Sequence, residues 1–419
     1  MKYIKENKAL FLMFCFLLVM TLLFVLFRDG VVNPFYFSNE YYLYYNIYSQ
    51  LSQGNLPYIH FFVEYPPLAA FAIGYPEAFI PGLDRHIFQS IYFAKVSFFL
   101  LIYFYIFNKQ NLSRKTELLL LTFFLALISS TLVYARYDIF PSIAFGIGVL
   151  FLYKYILDKS NTHFIVGTLL VGIAFSLKLF PAFFMLFFAV ILFKQYGYKR
   201  SLYYILILTF VGLTSLVFVV LGLDNFKEFL SYQGNRDLQI ESIYANLVYL
   251  LNLFGLIPLE HAVQNGAEEL IDPLSKTLAN SSVFILFGGY LVFTAFTFLK
   301  LKKEQNFGNI MILGSLITVL IFIIFNNVLS PQYLLWLVFL IPLLGLFKGM
   351  TKIEFNKLLI AFSLVILCTF VIYPLSYKYL VSGEWYMVFV LTIRNTLLVY
   401  ILIVLSFLYS REFKVVEKK

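Results

Sequence analysis

Charged side chains are scarce in this sequence, and several of them gather with tyrosines, amides and prolines in short stretches that could do chemistry. The first stretch reads Ser38-Asn39-Glu40-Tyr41-Tyr42-Leu43-Tyr44, then Gly54-Asn55-Leu56-Pro57-Tyr58, then Glu64-Tyr65-Pro66-Pro67-Leu68. Carboxylates among aromatic rings suit a bound sugar. Ring faces stack on its C–H groups, and Glu40 or Glu64 can take a proton from a hydroxyl. An amphipathic surface helix with Tyr at the headgroup level would explain the aromatics alone; the two carboxylates together favour function.

The stretch Tyr134-Ala135-Arg136-Tyr137-Asp138-Ile139-Phe140-Pro141 joins two apolar blocks with almost no loop. Charges at that depth cost ~2.5–3.5 kcal/mol each on insertion scales, so Arg136 and Asp138 are either functional or a structural pair closing the turn. Lys178, in Ser176-Leu177-Lys178-Leu179-Phe180-Pro181, is placed to hold a lipid phosphate as a point charge, or else to snorkel to the interface. In Tyr232-Gln233-Gly234-Asn235-Arg236-Asp237-Leu238-Gln239-Ile240-Glu241-Ser242, polar groups surround an apolar stripe, and Arg236 with Glu241 also reads as a plain salt bridge. Ser330, Gln332 and Tyr333 lie in Asn326-Asn327-Val328-Leu329-Ser330-Pro331-Gln332-Tyr333, where Pro331 is a helix-start signal. Their amide and hydroxyls suit sugar hydroxyls or a helix cap. No HExxH, CxxC pair, GxGxxG or P-loop occurs. His60, His86, His163 and His261 have no ligand spacing, so neither a metal nor a cofactor is expected.

The elements that must hold these residues are membrane helices. The 419 residues are 61% hydrophobic and 13% charged, with a mean hydropathy of +0.86, where a soluble chain carries about a quarter charged residues. The apolar residues fall in long blocks, and about 20 apolar residues in a helix span a bilayer core. Helices are required because lipid offers the backbone no partners, and the alternation of a membrane barrel is absent. Spans are predicted at 9–27, 90–107, 117–134, 139–157, 162–177, 179–193, 201–222, 282–299, 309–326, 331–347, 357–376 and 386–409. The first, behind Lys2, Lys5 and Lys8, reads as an uncleaved anchor. Cys15 and Cys368 fall in spans, so no disulfide framework is expected.

The block 66–82 is short and rich in proline. If it crossed, the basic clusters would face outward after a basic amino terminus facing inward, against the positive-inside rule. It is therefore read as a re-entrant or half-buried segment, leaving twelve spans and both termini cytoplasmic. The net charge of +9 is then a topology signal and not a nucleic-acid footprint. Most acidic residues, and the two large segments 28–89 and 223–281, lie on the outer side. The expectation is a single integral membrane domain over 1–419, acting on the extracytoplasmic face of the plasma membrane. No inner segment is long enough for the soluble fold that a nucleotide-sugar donor would call for.

Taken in order, these stretches resemble the polyprenol-phosphate-mannose-dependent mannosyltransferases of glycosyltransferase family 87. The likeness rests on the acidic residue four before Tyr44, on Gly54 to Tyr58 and on Glu64-Tyr65-Pro66-Pro67. It continues through Arg136-Tyr137-Asp138, Lys178-Leu179-Phe180-Pro181, Arg236 with Gln239-Ile240-Glu241-Ser242, Ser330-Pro331-Gln332-Tyr333, and Arg394-Asn395 in the last span. It implies an all-α GT-C-type bundle with extracytoplasmic loop helices. It also implies a polyprenyl-phosphate-linked donor, mannose in that family, and an acceptor that is a glycolipid, a lipid-linked oligosaccharide or a glycan. By the same likeness some of Lys178, Arg236 and Arg394 hold the donor phosphate, and Glu40 is the first choice as base of an inverting displacement. Arg136, Tyr65, Gln239, Glu241, Ser330, Gln332 and Tyr333 bind the sugar or acceptor. Family members carry Asp where this chain has Glu40, and the extra methylene of Glu brings Glu64 and Asp138 in as alternative bases. The competing classes are a transporter or flippase of a lipid-linked saccharide, disfavoured by the lack of repeats between halves, and a surface-polysaccharide polymerase or ligase, disfavoured because the outer arginines are separated.

Overall fold

The computed structural model describes residues 38–414 apart from 235, 265 and 304, together with Met13, Cys15–Leu17 and Val19; side chains at 38–40 and at 414 are not described. The predicted first span, 9–27, lies almost wholly outside the described residues. The protein is an all-α polytopic membrane protein with one small antiparallel sheet.

A tyrosine-rich helix, α1 (Ser38–Ser52), opens the described chain. Tyr41, Tyr44, Ile47, Tyr48 and Leu51 recur at helical spacing and form its buried face. A short helix, α2 (Pro67–Gly74), starts on Pro67 and packs against α1. At ~1.5 Å per residue it rises only ~12 Å. Beyond it, Lys95 Nζ donates to the Ile73 and Tyr75 carbonyls at 2.9 and 3.0 Å and pairs with the buried Glu77 carboxylate at 2.9 Å. Lys95 thereby satisfies orphan carbonyls at the end of α2 and ties the segment to the next helix.

That helix is α3 (Arg85–Asn108), capped by Asp84, which accepts from His86 N and Ile87 N. The predicted span 117–134 is two helices, α4 (Lys115–Ile128) and α5 (Ser130–Ala135), with Ser129 off the helical conformation between them. There follow α6 (Ile139–Asp158), α7 (Asn161–Leu177), α8 (Pro181–Tyr196) and α9 (Tyr198–Leu221). Helices α6 and α7 approach closely through glycines. A Cβ on Gly148 would stand 3.2 Å from the Gly167 carbonyl, and one on Gly167 would stand 2.9 Å from Leu152 N, the small-residue packing favoured where lipid supplies no hydrophobic drive between helices.

The amphipathic α10 (Leu223–Gly234) leads to strand β1 (Leu238–Gln239) and to α11 (Ile243–Leu253), capped by Ser242. Strands β2 (His261–Gln264) and β3 (Ala267–Leu270) form a hairpin, and β3 pairs with both β2 and β1. Then come α12 (Pro273–Lys300) and α13 (Phe307–Phe325). Helix α13 is buried nearly all round and forms the centre of the bundle, whereas α9 and α12 present apolar side chains such as Phe210, Val220, Phe284 and Val292 outward, as lipid-facing helices do.

The predicted span 331–347 is not one regular helix. Pro331–Tyr333 and Ile341–Leu346 are 3-10 turns flanking α14 (Leu334–Val338). Nearly every residue there is buried, so freed backbone groups find partners inside the protein; Tyr103 Oη donates to the Phe339 carbonyl at 2.8 Å. The chain closes with α15 (Lys352–Phe370), a π-turn at Val371–Leu375, α16 (Tyr377–Val381) and α17 (Trp385–Lys414). Seven of the described helices are long and apolar enough to cross a membrane, and shorter apolar elements fill the places between them.

Candidate functional site

The loops at one end of these helices converge on a cavity of about 660 Å³. The connections carrying most of the Lys and Arg, such as 109–115, 194–200 and 300–303, join the opposite ends. Ten residues singled out in the sequence line this one cavity: Glu64, Tyr65, Arg136, Lys178, Arg236, Gln239, Glu241, Ser330, Gln332 and Tyr333.

The tyrosines of α1 brace one side of the cavity from behind. Tyr41 Oη donates to the Tyr134 carbonyl at 2.8 Å, and Tyr44 Oη accepts from Tyr137 N at 2.9 Å. These bonds fix the turn carrying Arg136, Tyr137 and Asp138, so a buried turn keeps its polar groups satisfied. Asp138 heads α6, yet its carboxylate does not cap that helix. It is 1% exposed and lies 3.3 Å from Lys178 Nζ, while Trp336 Nε1 donates to it at 3.2 Å. Trp336 is held flat between Phe180 and Tyr333, at ring separations of 4.1 and 4.2 Å.

Lys178 occupies an extended residue between α7 and α8, where α7 has ended and Pro181 starts the next helix. Its ammonium sits among the rings of Tyr137, Tyr333 and Tyr65, at 4.9, 5.6 and 5.8 Å from their centres. Three electron-rich faces and one carboxylate hold the cation.

Arg236 follows α10, and Glu269 of β3 binds it: Arg236 Nε lies 3.3 Å from Glu269 Oε1, and Asp237 N donates to Oε2 at 3.0 Å. The Asn327 amide donates to the Arg236 and Asp237 carbonyls at 3.0 and 3.2 Å, and Gln239 Nε2 donates to Ser330 Oγ at 3.2 Å. The segment 326–330 is thereby stitched to β1. Burial pushes the Glu269 carboxyl up, against the pull of Arg236.

Glu241 pairs with Arg394 of α17, Nη1 to Oε2 at 2.5 Å, both side chains being fully buried, and the Glu241 carbonyl accepts from Arg394 Nη2. The alternative Arg236–Glu241 salt bridge is not formed: each takes a different partner. Nor is the Arg136–Asp138 closure the arrangement at Asp138, whose partners are Lys178 and Trp336. Arg394 does not line the cavity; it stands behind Glu241. Burial pushes the Glu241 carboxyl up, opposed by Arg394.

Glu64 lines the cavity and has no ion-pair partner among the described residues. Its carboxylate lies beside the Tyr232 hydroxyl, whose pKa burial raises, with Glu64 adding to the shift. Burial likewise keeps Tyr65 protonated, so both phenols are hydrogen-bond donors. Glu40 is on the first turn of α1, its side chain outside the described residues.

The sequence reading missed Glu268, Glu269, Tyr373 and Tyr377. A signal existed for the acids: Asn265-Gly266 between two short runs is a hairpin sequence, and adjacent strand residues face opposite ways. Glu268 lines the cavity while Glu269 turns to Arg236.

Fold and cavity together define a polytopic membrane protein with a cavity of carboxylates and cations at one end of its helices. Residues 62–323 match the family model of glycosyltransferase family 87, and the chain belongs to that family. It is a glycosyltransferase. No curated protein matches the sequence significantly.

Proposed function

We propose that the protein transfers a hexose, mannose by family likeness, from a polyprenyl-phosphate donor to an acceptor hydroxyl on the extracytoplasmic face, inverting the anomeric centre. The observation that carries this reading is the make-up of the one cavity. Lys178, Arg136 and Arg236 share it with Glu64, and Phe229, Val283 and Phe287 form an apolar stretch of its wall. Phe287 is 54% exposed and belongs to α12, whose neighbouring Phe284 is 80% exposed. That side of the wall faces lipid, where a prenyl chain would lie. The bias of Lys and Arg to the opposite helix ends supports an outer position for the cavity.

The lipid phosphate leaves already ionised, so cations suffice to stabilise it and no general acid is required. Lys178 suits this task as a point charge whose position Asp138 and three rings define. Arg394, buried against Glu241, acts through Glu241 and not on the phosphate. The base is a carboxylate of the first outer segment. Glu64 lines the cavity and forms no ion pair among the described residues, and Glu40, the base expected from the family likeness, lies on the first turn of the helix whose Tyr44 holds the Arg136–Asp138 turn. The carboxylate takes the acceptor proton as the hydroxyl oxygen attacks the anomeric carbon and the phosphate oxygen departs.

The test is transfer of radiolabelled mannose from polyprenyl-phosphate-mannose in membranes containing the wild type, Glu40→Gln or Glu64→Gln. Loss of the base should lower turnover by ~10²–10⁴-fold with the donor KM little changed. Full activity in both variants would refute the base assignment. No transfer by the wild type, from this or other polyprenyl-phosphate sugars, would refute the donor.

A further inference from the structure

Away from Lys178 the cavity changes character. Glu241 Oε1 is buried and accepts no hydrogen bond, although Arg394 occupies the other carboxylate oxygen. Gln332 Oε1 is likewise buried without a hydrogen bond. So is Glu268 Oε2, with His261 Nδ1 at 3.4 Å. Glu241, Glu268 and Gln332 all line the cavity. Glu241 and Glu268 are neighbours through the sheet, since Ile240 N donates to the Glu268 carbonyl at 3.2 Å. Beside them stand Tyr373 and Tyr377, also cavity residues, with perpendicular rings 5.5 Å apart. The rim here is the β2–β3 hairpin, whose Val263 is 73% exposed.

Buried acceptor oxygens left without donors are costly, by an amount comparable to a lost hydrogen bond, unless a ligand supplies the hydrogens. Carboxylate and amide oxygens accept, and aromatic faces stack on C–H surfaces. A sugar offers both.

We propose that the corner formed by Glu241, Glu268, Tyr373 and Tyr377 is the acceptor subsite, and that it takes an uncharged polyhydroxy glycan unit and rejects an acidic sugar. The assignment rests on the transferase reading above. The donor phosphate belongs with the cations and its lipid with the Phe229–Phe287 wall, which leaves this corner for the second substrate. An acceptor carboxylate here would meet the oxygens of Glu241 and Glu268 and lose the hydrogens they require.

The experiment is saturation-transfer NMR on the full chain in lipid nanodiscs, with methyl glucoside and methyl glucuronoside as probes and no donor present. The glucoside should bind, and the glucuronoside should bind ~10-fold more weakly or worse. Glu268→Gln, at a partly exposed residue, should narrow that gap, and Tyr377→Ala, which removes the ring face, should weaken the glucoside. Equal binding of both probes, a gap unchanged in Glu268→Gln, or no glucoside binding by the wild type would each overturn the subsite. Neutral-sugar binding without transfer from any polyprenyl-phosphate donor would remove the donor reading and leave the subsite standing. Transfer with equal binding of both probes would remove the subsite alone.

Discussion

Replacing Asp138 by Asn separates a positioning carboxylate from a base. Asp138 faces Lys178 at 3.3 Å. Two unit charges at that distance attract by about 5 kcal/mol at an effective dielectric of 20. Lys178 is 18% exposed, and breaking such a pair after solvent takes its share costs of order 3 kcal/mol. The amide introduced by Asp138→Asn would keep the bond from Trp336 and the shape of the site, but would free Lys178 to shift among its three rings. With Lys178 as the proposed phosphate ligand, a displacement of an ångström costs on the order of 10²-fold in rate. The expectation is therefore a ~10²-fold fall in kcat/KM for the donor, with the acceptor KM unchanged. The decisive assay is the double-mutant cycle with Lys178→Met: once the lysine is gone, Asp138→Asn should cost no more than about threefold further, because both changes remove one interaction. Losses that multiply, with Asp138→Asn removing another ~10²–10⁴-fold in the Lys178→Met background, would show Asp138 to be the base and refute this account.

Two predictions concern stability. Arg394→Met leaves the fully buried Glu241 without its counter-charge and should destabilise the detergent-solubilised protein by ~3–5 kcal/mol, while adding Glu241→Gln should restore much of the loss; a melting midpoint unchanged in Arg394→Met would count against the pairing. A Cβ on Gly222 would collide with the Tyr58 carbonyl, and backbone has no rotamer with which to yield. Gly222→Ala should cost ~1–3 kcal/mol and lower transfer by moving the loop that leads from Tyr58 to Glu64, and a fully active, equally stable variant would contradict that coupling.

Much of this protein is legible before any fold is known. Apolar blocks of bilayer length dictate helices because a lipid-exposed backbone has no other way to satisfy itself, and basic clusters mark which helix ends share a side. The stretches that line the cavity are legible for a related reason. A charge beside such blocks, as at Arg136, Asp138 and Lys178, is too costly to keep without a partner or a task. What could not be read was where an apolar block breaks. Residues 331–347 look like a span, yet they fold as short turns, because burial inside the bundle supplies partners that composition does not reveal.

Pairing was also beyond the sequence. Arg236 and Glu241 are close along the chain and invite a bridge, but Arg236 binds Glu269 and Glu241 binds Arg394, 153 positions away. Asp138 likewise turns from its neighbour Arg136 to Lys178 and Trp336. Ion pairs form at a few ångströms, and in a bundle of helices that proximity is set by which ends meet, not by spacing along the chain. Sequence alone therefore decided the kind of protein and pointed to ten of the residues that line its cavity. The tertiary structure decided which charges are already paired and which oxygens in the cavity still lack a hydrogen.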